Sequence, residues 1–270
     1  MINDPFAEPL VRRVGIDFCT KLATGELQGL RADAAKGMRA MIDWMAVRTK
    51  YFDDFFLNAA RDGIRQAVIV ASGLDARAYR LPWAPGTIVF EVDQPQVIEF
   101  KTATLAELGA QPMADRRTVA IDLRDDWPAA LQRTGFDPAL PSAWIAEGLL
   151  GYLPADAQDR LLDQVVKLSV SGSRFATHWH PTNADDLDED EFRRRTGNQS
   201  NWWRELGFDL DFAELLYFGG RSDVAAFFAT RAWETAVRSN ADMLAESGLP
   251  PIDAADASFA EVVYLRADLN

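Results

Sequence analysis

Over roughly the first sixty residues the apolar positions follow a helical period. Met38, Met41, Ile42 and Met45 fall at i, i+3, i+4 and i+7, which is one face of a helix. That stripe predicts core filling, the ordinary use of methionine, rather than recognition. From Gln66 the period changes. Ala67–Ala71 is a short, continuous apolar run bounded by Gly73, the pattern of a strand buried on both faces. Thr87–Val92, Arg117–Ile121, Ser142–Ala146 and Ser173–Thr177 are further strands. Gln96–Leu108, Asp125–Arg133 and Pro154–Val170 read as helices, with Pro154 near the start of the last. Strands alternating with helices predict right-handed βαβ units and a parallel sheet.

After the fifth strand the pattern breaks. Pro181 to about Leu210 is polar and acidic, with Trp202 and Trp203 inside it. That length predicts an insertion or lid rather than a simple connection. Two strand-like runs follow, Ala232–Arg238 and Phe259–Arg266, around a helix near Ala241–Ser247, and they predict a closing antiparallel element. The expected class is α/β, Rossmann-like and doubly wound. The expected plan is one domain over 1–270: a helical N-terminal cap over 1–62, a βα core over 63–180, an insertion over 181–225 and closing strands over 226–270.

Composition narrows the function classes. The chain has 270 residues, 48% of them apolar, enough for a substantial core. Lys and Arg number 28 against 41 Asp and Glu, a net charge of −13, which argues against nucleic-acid partners. The short basic run Arg193–Arg195 lies beside Asp185, Asp186, Asp188, Glu189, Asp190 and Glu191 and reads as a self-compensated, solvated patch. Cys19 is the sole cysteine, so an intrachain disulfide and a Cys-rich zinc site are excluded. No apolar run approaches the ~20 residues of a membrane span, and Met1–Phe6 lacks the features of a signal peptide. These features predict a cytoplasmic protein without membrane or metal partners.

In an open parallel sheet a ligand sits outside the carboxyl ends of the strands. The residues that follow each strand are therefore the candidate site. They are Ala71, Ser72, Gly73, Leu74 and Asp75 after the first, Glu91 and Asp93 at the second, Asp122 and Leu123 after the third, and Glu147 and Gly148 after the fourth. Gly73 to Asp93 is 20 residues, Asp93 to Asp122 is 29 and Asp122 to Glu147 is 25, each about one βα unit. A carboxylate at the end of the second strand can accept both hydroxyl hydrogens of a ribose. A carboxylate with neighbouring backbone N–H groups after the third can read an adenine edge. Helix capping is the competing use for Asp122 and Asp125. The stretch Ala71–Ala76 is not G-x-G-x-x-G, which counts against a pyrophosphate-bearing cofactor. A methionine-type cofactor carries a sulfonium, an amine and a carboxylate, and suits an acidic pocket with one arginine.

Val47–Asp54, Val68–Leu81, Phe90–Pro95, Ile121–Leu123 and Ala146–Leu153 together make the chain resemble the leucine carboxyl methyltransferase family. The likeness is to its bacterial branch of S-adenosyl-L-methionine-dependent methyltransferases, and it is strongest from Val47 to Leu153. The resemblance implies a class I methyltransferase sheet of seven strands and S-adenosyl-L-methionine as cofactor. It implies that Arg48 holds the methionine carboxylate and that Ala71, Gly73 and their neighbours line the methionine portion. Asp93 would bind the ribose, Asp122 and Leu123 would contact adenine, and Glu147 would lie near the methionine amine. A salt bridge to Asp53 or Asp54 is the alternative for Arg48. Members usually carry glycine where this chain has Ala71, and usually have further residues before the Asp4–Ala7 stretch.

The implied reaction is in-line transfer of the methyl group to an acceptor, most simply an oxygen of a carboxylate or hydroxyl on a small molecule or peptide. Positioning and water exclusion are the protein's main contribution. No catalytic residue is assigned. His178 and His180, just past the fifth strand, are candidates for a base or a substrate contact. Tyr152, Trp202, Trp203, Tyr217 and Phe218 are candidates for an acceptor wall. A Rossmann NAD-dependent oxidoreductase and a non-catalytic cofactor-binding module are the alternatives.

Overall fold

A computed structural model describes residues 2–16, 20, 24, 32–180, 215–217, 220–252 and 258–270. Helices α1 (Ala7–Val14) and α2 (Ala32–Arg61) precede the sheet. The core then runs β1 (Gln66–Val70), α3 (Arg77–Arg80), β2 (Ile88–Asp93), α4 (Pro95–Glu107), β3 (Asp115–Ala120), α5 (Trp127–Arg133), β4 (Ser142–Ala146), α6 (Ala155–Lys167) and β5 (Arg174–Trp179). It closes with α7 (Val224–Ala229), β6 (Trp233–Ser239), α8 (Asn240–Glu246) and β7 (Val263–Leu269).

The seven strands form one sheet in the order β3-β2-β1-β4-β5-β7-β6. The first five are parallel, and β7 runs antiparallel to both β5 and β6. The order reverses at β1, between β2 and β4, so a topological switch point opens at the carboxyl end of β1. The side chains of β1 and β4 are buried throughout, as their continuous apolar runs require.

Alternation splits each strand between two cores. Val68, Val70, Phe90, Val92, Trp144 and Phe175 face Trp127 and Leu131 of α5 and Leu161, Leu162 and Val165 of α6. Ala67, Ile69, Val89, Ile145 and Ala176 face Phe52 and Phe56 of α2 and Leu105 of α4. A third cluster joins Met38, Met41 and Val47 of α2 to Met243 and Leu244 of α8 and Tyr264 of β7. The methionine stripe is thus only half core, because Ile42 and Met45 are exposed.

Several boundaries shift for identifiable reasons. Asp126 caps α5 by accepting from Ala129 N at 3.2 Å, so the helix starts after Asp125. Phe259 lies in a 3-10 turn over Ser258–Glu261, which delays β7 to Val263. The short helices α3 and α7 carry too few turns for a readable period. The Pro181–Leu210 insertion, Cys19, Arg193–Arg195, Trp202, Trp203 and Phe218 lie outside the described residues. Among the described residues, no helix is long and apolar enough to cross a membrane.

Candidate cofactor site at the carboxyl edge of the sheet

The turn after β1 is the centre of the site. Its backbone is forced into the left-handed region twice, with φ of 53° at Ala71 and 45° at Gly73. Glycine takes that conformation freely, whereas alanine is strained in it by about 1 kcal/mol. The usual glycine at position 71 therefore answers a backbone requirement. Crowding of a ligand by the Ala71 methyl is not needed to explain it.

Asp93 ends β2 and reaches this turn. Its Oδ2 accepts from Gly73 N at 2.6 Å, and its Oδ1 accepts from Gln94 N at 2.7 Å. Ser72 N donates to Val92 O at 3.1 Å, stitching the turn to β2, and Ile121 N donates to Asp93 O at 2.8 Å, stitching β2 to the end of β3. The carboxylate is thus fixed in orientation by two backbone donors and keeps lone pairs for a ligand.

A buried charge cluster sits beneath the turn. Glu91 on β2 receives Lys101 of α4 at 2.8 Å and Arg116 of β3 at 2.7 Å. Lys101 is fully buried, and its Nζ also donates to Ser72 Oγ and Asp75 O, each at 3.1 Å. An amphipathic reading of α4 does not single out this lysine. Its role shows only once α4 is packed beneath the β1 turn.

Glu147 follows β4 and anchors two arginines from distant segments. Its Oε1 accepts from Arg48 Nε at 2.7 Å, and its Oε2 accepts from Arg77 Nη1 at 2.7 Å. The Arg77 and Arg48 guanidiniums hold the Glu147 carboxyl below the usual carboxylate range, overriding the opposing effect of burial. Arg77 also binds Asp75 and, through Nε at 2.7 Å, Asp53. Asp53 in turn receives Arg80 at 2.6 and 2.7 Å, and Arg80 reaches Asp4 at 3.2 Å. Arg48 therefore pairs with neither Asp53 nor Asp54: Asp53 serves Arg77 and Arg80, and Asp54 pairs with Lys50. Asp75 is among the strand-end candidates and Asp53 is the expected alternative partner of Arg48, but Asp4, Arg77, Arg80 and Lys101 are not singled out by sequence. Acidic and basic residues abound in this chain, and no spacing marks these as a cluster.

Arg48 spends its Nε on Glu147. Its Nη1 lies 3.8 Å from Met45 Sδ, and among the described residues no carboxylate meets its Nη1–Nη2 edge. Trp44 stacks on its guanidinium at 5.2 Å. Gly148, at φ 66°, brings its backbone so close that a Cβ there would stand 2.8 Å from Arg48 Nη2.

Asp122 and Leu123 follow β3 beside Asp93. Asp122 does not cap a helix. Its Oδ1 accepts from Arg124 N and Nε, both at 2.9 Å, and its Oδ2 accepts from Arg124 Nη2 at 2.7 Å. Those bonds lower its carboxyl to about 2. Leu123 packs half-buried against the first core. Direct bonds link Arg48, Glu147, the β1 turn and Asp93, and chain continuity places Asp122 and Leu123 next to them. Of the two histidines, His178 is buried and His180 exposed. Tyr152 and Tyr217 are exposed.

A seven-stranded sheet in this order, with its acidic switch-point edge, defines a class I S-adenosylmethionine-dependent methyltransferase fold. A solved structure from Thermobifida fusca YX, described as a "putative methyltransferase", matches with a TM-score of 0.55 at 19% identity, over 98% of this chain and 94% of that one. Magnesium protoporphyrin IX methyltransferase from Synechocystis PCC 6803, solved with bound SAH, matches with a TM-score of 0.50 at 12% identity, over 94% of each chain. The family model for leucine carboxyl methyltransferase matches residues 1–166. A protein of Mycobacterium bovis named "Putative S-adenosyl-L-methionine-dependent methyltransferase" is 60% identical over 272 residues, covering 100% of this chain and 85% of its own length. A similarly named protein of Mycolicibacterium smegmatis is 56% identical over 268 residues, covering 98% of this chain and 88% of its own. The chain belongs to the leucine carboxyl methyltransferase family. Neither fold nor family supports the oxidoreductase alternative.

Proposed function

We propose that this chain transfers a methyl group from S-adenosyl-L-methionine to an oxygen of an acceptor, a carboxylate or a hydroxyl. The observation that carries this reading is the Asp93 carboxylate, locked by Gly73 N and Gln94 N at the switch point. So oriented, it accepts the two ribose hydroxyls without further reorganisation. The donor set fits the rest of the cofactor. The unshared Nη1–Nη2 edge of Arg48 suits the methionine carboxylate as a two-pronged donor. Glu147 fixes that guanidinium and keeps lone pairs for the methionine amine. Leu123 offers an apolar contact and Asp122 a polar one for adenine, and the Ala71–Gly73 turn lines the methionine chain.

The bound cofactor supplies an activated methyl group on a good leaving group. The protein's own residues bind, orient and exclude water. A carboxylate acceptor needs no base, whereas a hydroxyl must lose its proton. Calorimetry with S-adenosylmethionine and with NAD tests the cofactor, and binding of NAD alone overturns the reading. Release of S-adenosylhomocysteine, measured over matched panels of carboxylic acids, alcohols, phenols and amines, tests the oxygen. Turnover confined to amines would remove it.

A further inference from the structure

Beyond the cofactor edge lies a buried imidazole with an unpartnered ring nitrogen. His178, the penultimate residue of β5, is 8% exposed, and among the described residues its Nδ1 meets no hydrogen-bond partner. A buried ring nitrogen left unsatisfied is a cost that a fold ordinarily removes. Here the ring is flanked by three aromatic side chains from two elements. Trp44 of α2 lies edge-on at 6.3 Å, Phe52 of α2 at 5.8 Å, and Tyr264 of β7 is tilted at 5.9 Å. The Tyr264 hydroxyl is turned to Asn240 Oδ1, at 3.4 Å, so it does not serve the imidazole.

This enclosure adjoins the methionine end of the cofactor edge. Trp44 touches His178 on one side and stacks on Arg48 on the other. β5 pairs directly with β4, whose end carries Glu147. Burial above all, with the nearby Arg48 and His180 acting in the same direction, lowers the His178 pKa and keeps its imidazole neutral.

We propose that His178 is the catalytic base, facing an acceptor that is neutral and presents a hydroxyl on an apolar body. The proposal rests on the methyltransferase reading above and selects the hydroxyl from its two oxygen acceptors. A hydroxyl both donates and accepts, so it satisfies Nδ1 in either tautomer of a neutral imidazole. A carboxylate only accepts, and it would bring a charge into an aromatic enclosure whose nearest cation, Arg48, is already committed. In the step itself the acceptor oxygen forms the O–CH3 bond. The S–CH3 electron pair stays on sulfur, giving S-adenosylhomocysteine, and the hydroxyl proton passes to Nδ1. The resulting imidazolium sits near Arg48, which favours release of that proton to water before the next turnover.

The chain has only two histidines, so the test can be read directly. Calorimetry first establishes S-adenosylhomocysteine binding to the full chain, and failure there removes the cofactor reading rather than this one. With S-adenosylhomocysteine bound, ring-15N spectra of the imidazoles are recorded during titration with phenol and, separately, with benzoate. His180→Gln assigns the His178 signals. A saturable shift of the His178 ring nitrogens with phenol and at least tenfold weaker response to benzoate is expected. An equal or stronger response to benzoate, or no response to either, overturns the proposal. The wild-type chain carries the whole measurement, so a misfolded His178 variant cannot obscure it.

Discussion

Arg48 and Glu147 stand 99 residues apart in the chain and 2.7 Å apart in space. One belongs to a helix outside the sheet and the other to the end of a central strand. Their pairing leaves one edge of the guanidinium presented toward the crevice. A cofactor carboxylate then meets an arginine whose rotamer is already fixed, so little conformational entropy remains to be lost on binding.

Removing Glu147 should therefore weaken both the fold and the site. Glu147→Gln keeps the shape but leaves Arg48 and Arg77 sharing a neutral partner in a largely buried place. A loss of roughly 3 kcal/mol in unfolding free energy is expected, as for other broken buried pairs. Urea denaturation measures it. A change within about 0.5 kcal/mol, the usual range for exposed surface substitutions, would show that the pair is not structural.

Asp93→Ala should cost cofactor affinity, and stability as well because Gly73 N and Gln94 N lose their acceptor. Loss of charge-assisted bonds predicts a weakening of about 1–3 kcal/mol for S-adenosylhomocysteine by calorimetry. Unchanged affinity would place the ribose elsewhere.

Ala71→Gly should relieve a left-handed alanine and raise stability by up to about 1 kcal/mol, the strain less the entropy glycine adds to the unfolded chain. Ala232, at φ 64° just before β6, provides a control away from the cofactor edge. Ala232→Gly should stabilise similarly and leave cofactor affinity untouched. Thermal melts with and without S-adenosylhomocysteine compare the two.

Gly148→Ala should damage the site through Arg48. The new Cβ would press on a guanidinium end that Glu147 prevents from swinging away. Left-handed strain of roughly 1–2 kcal/mol adds to that. Cofactor affinity should fall about tenfold, near 1.4 kcal/mol, and calorimetry on the folded variant reads it.

Acid should loosen the fold in two stages. His178 has a folded pKa below its unfolded value near 6.5, so the native state binds fewer protons. Its contribution is present above about 6.5 and is lost as pH falls. Glu147, also lowered in the folded state, contributes above its unfolded value near 4.5 and loses that contribution only at lower pH. Desolvation lowers His180 to about 4 as well, so both histidines contribute above about 6.5. Denaturation midpoints should already decline between about pH 6.5 and 5; His178→Gln should shrink that limb and leave the His180 share and the more acidic limb in place. A flat wild-type profile there would show that His178 is not buried neutral.

The residues at the strand ends were legible from sequence because of how parallel strands are built. A strand buried on both faces must be a continuous apolar run, so its end is marked by the first polar residue. That residue emerges at the edge where ligands bind. Gly73, Asp93, Asp122 and Glu147 follow strand ends of this kind. The ribose and adenine roles of Asp93 and Asp122 follow from their chemistry, while those of Arg48, Ala71, Gly73, Leu123 and Glu147 come from family resemblance. The pairing of those residues was not legible. Arg48 had Asp53 and Asp54 as near neighbours in the chain, and a helical period could not show that its partner would be Glu147. Whether Met45 would be covered or exposed, and which histidine would be enclosed, depended on where α2 crosses the sheet. Local pattern is set by steric and solvation rules acting over a few residues. The partner of a long charged side chain is set by packing between elements far apart in the chain, and only the folded structure decides it.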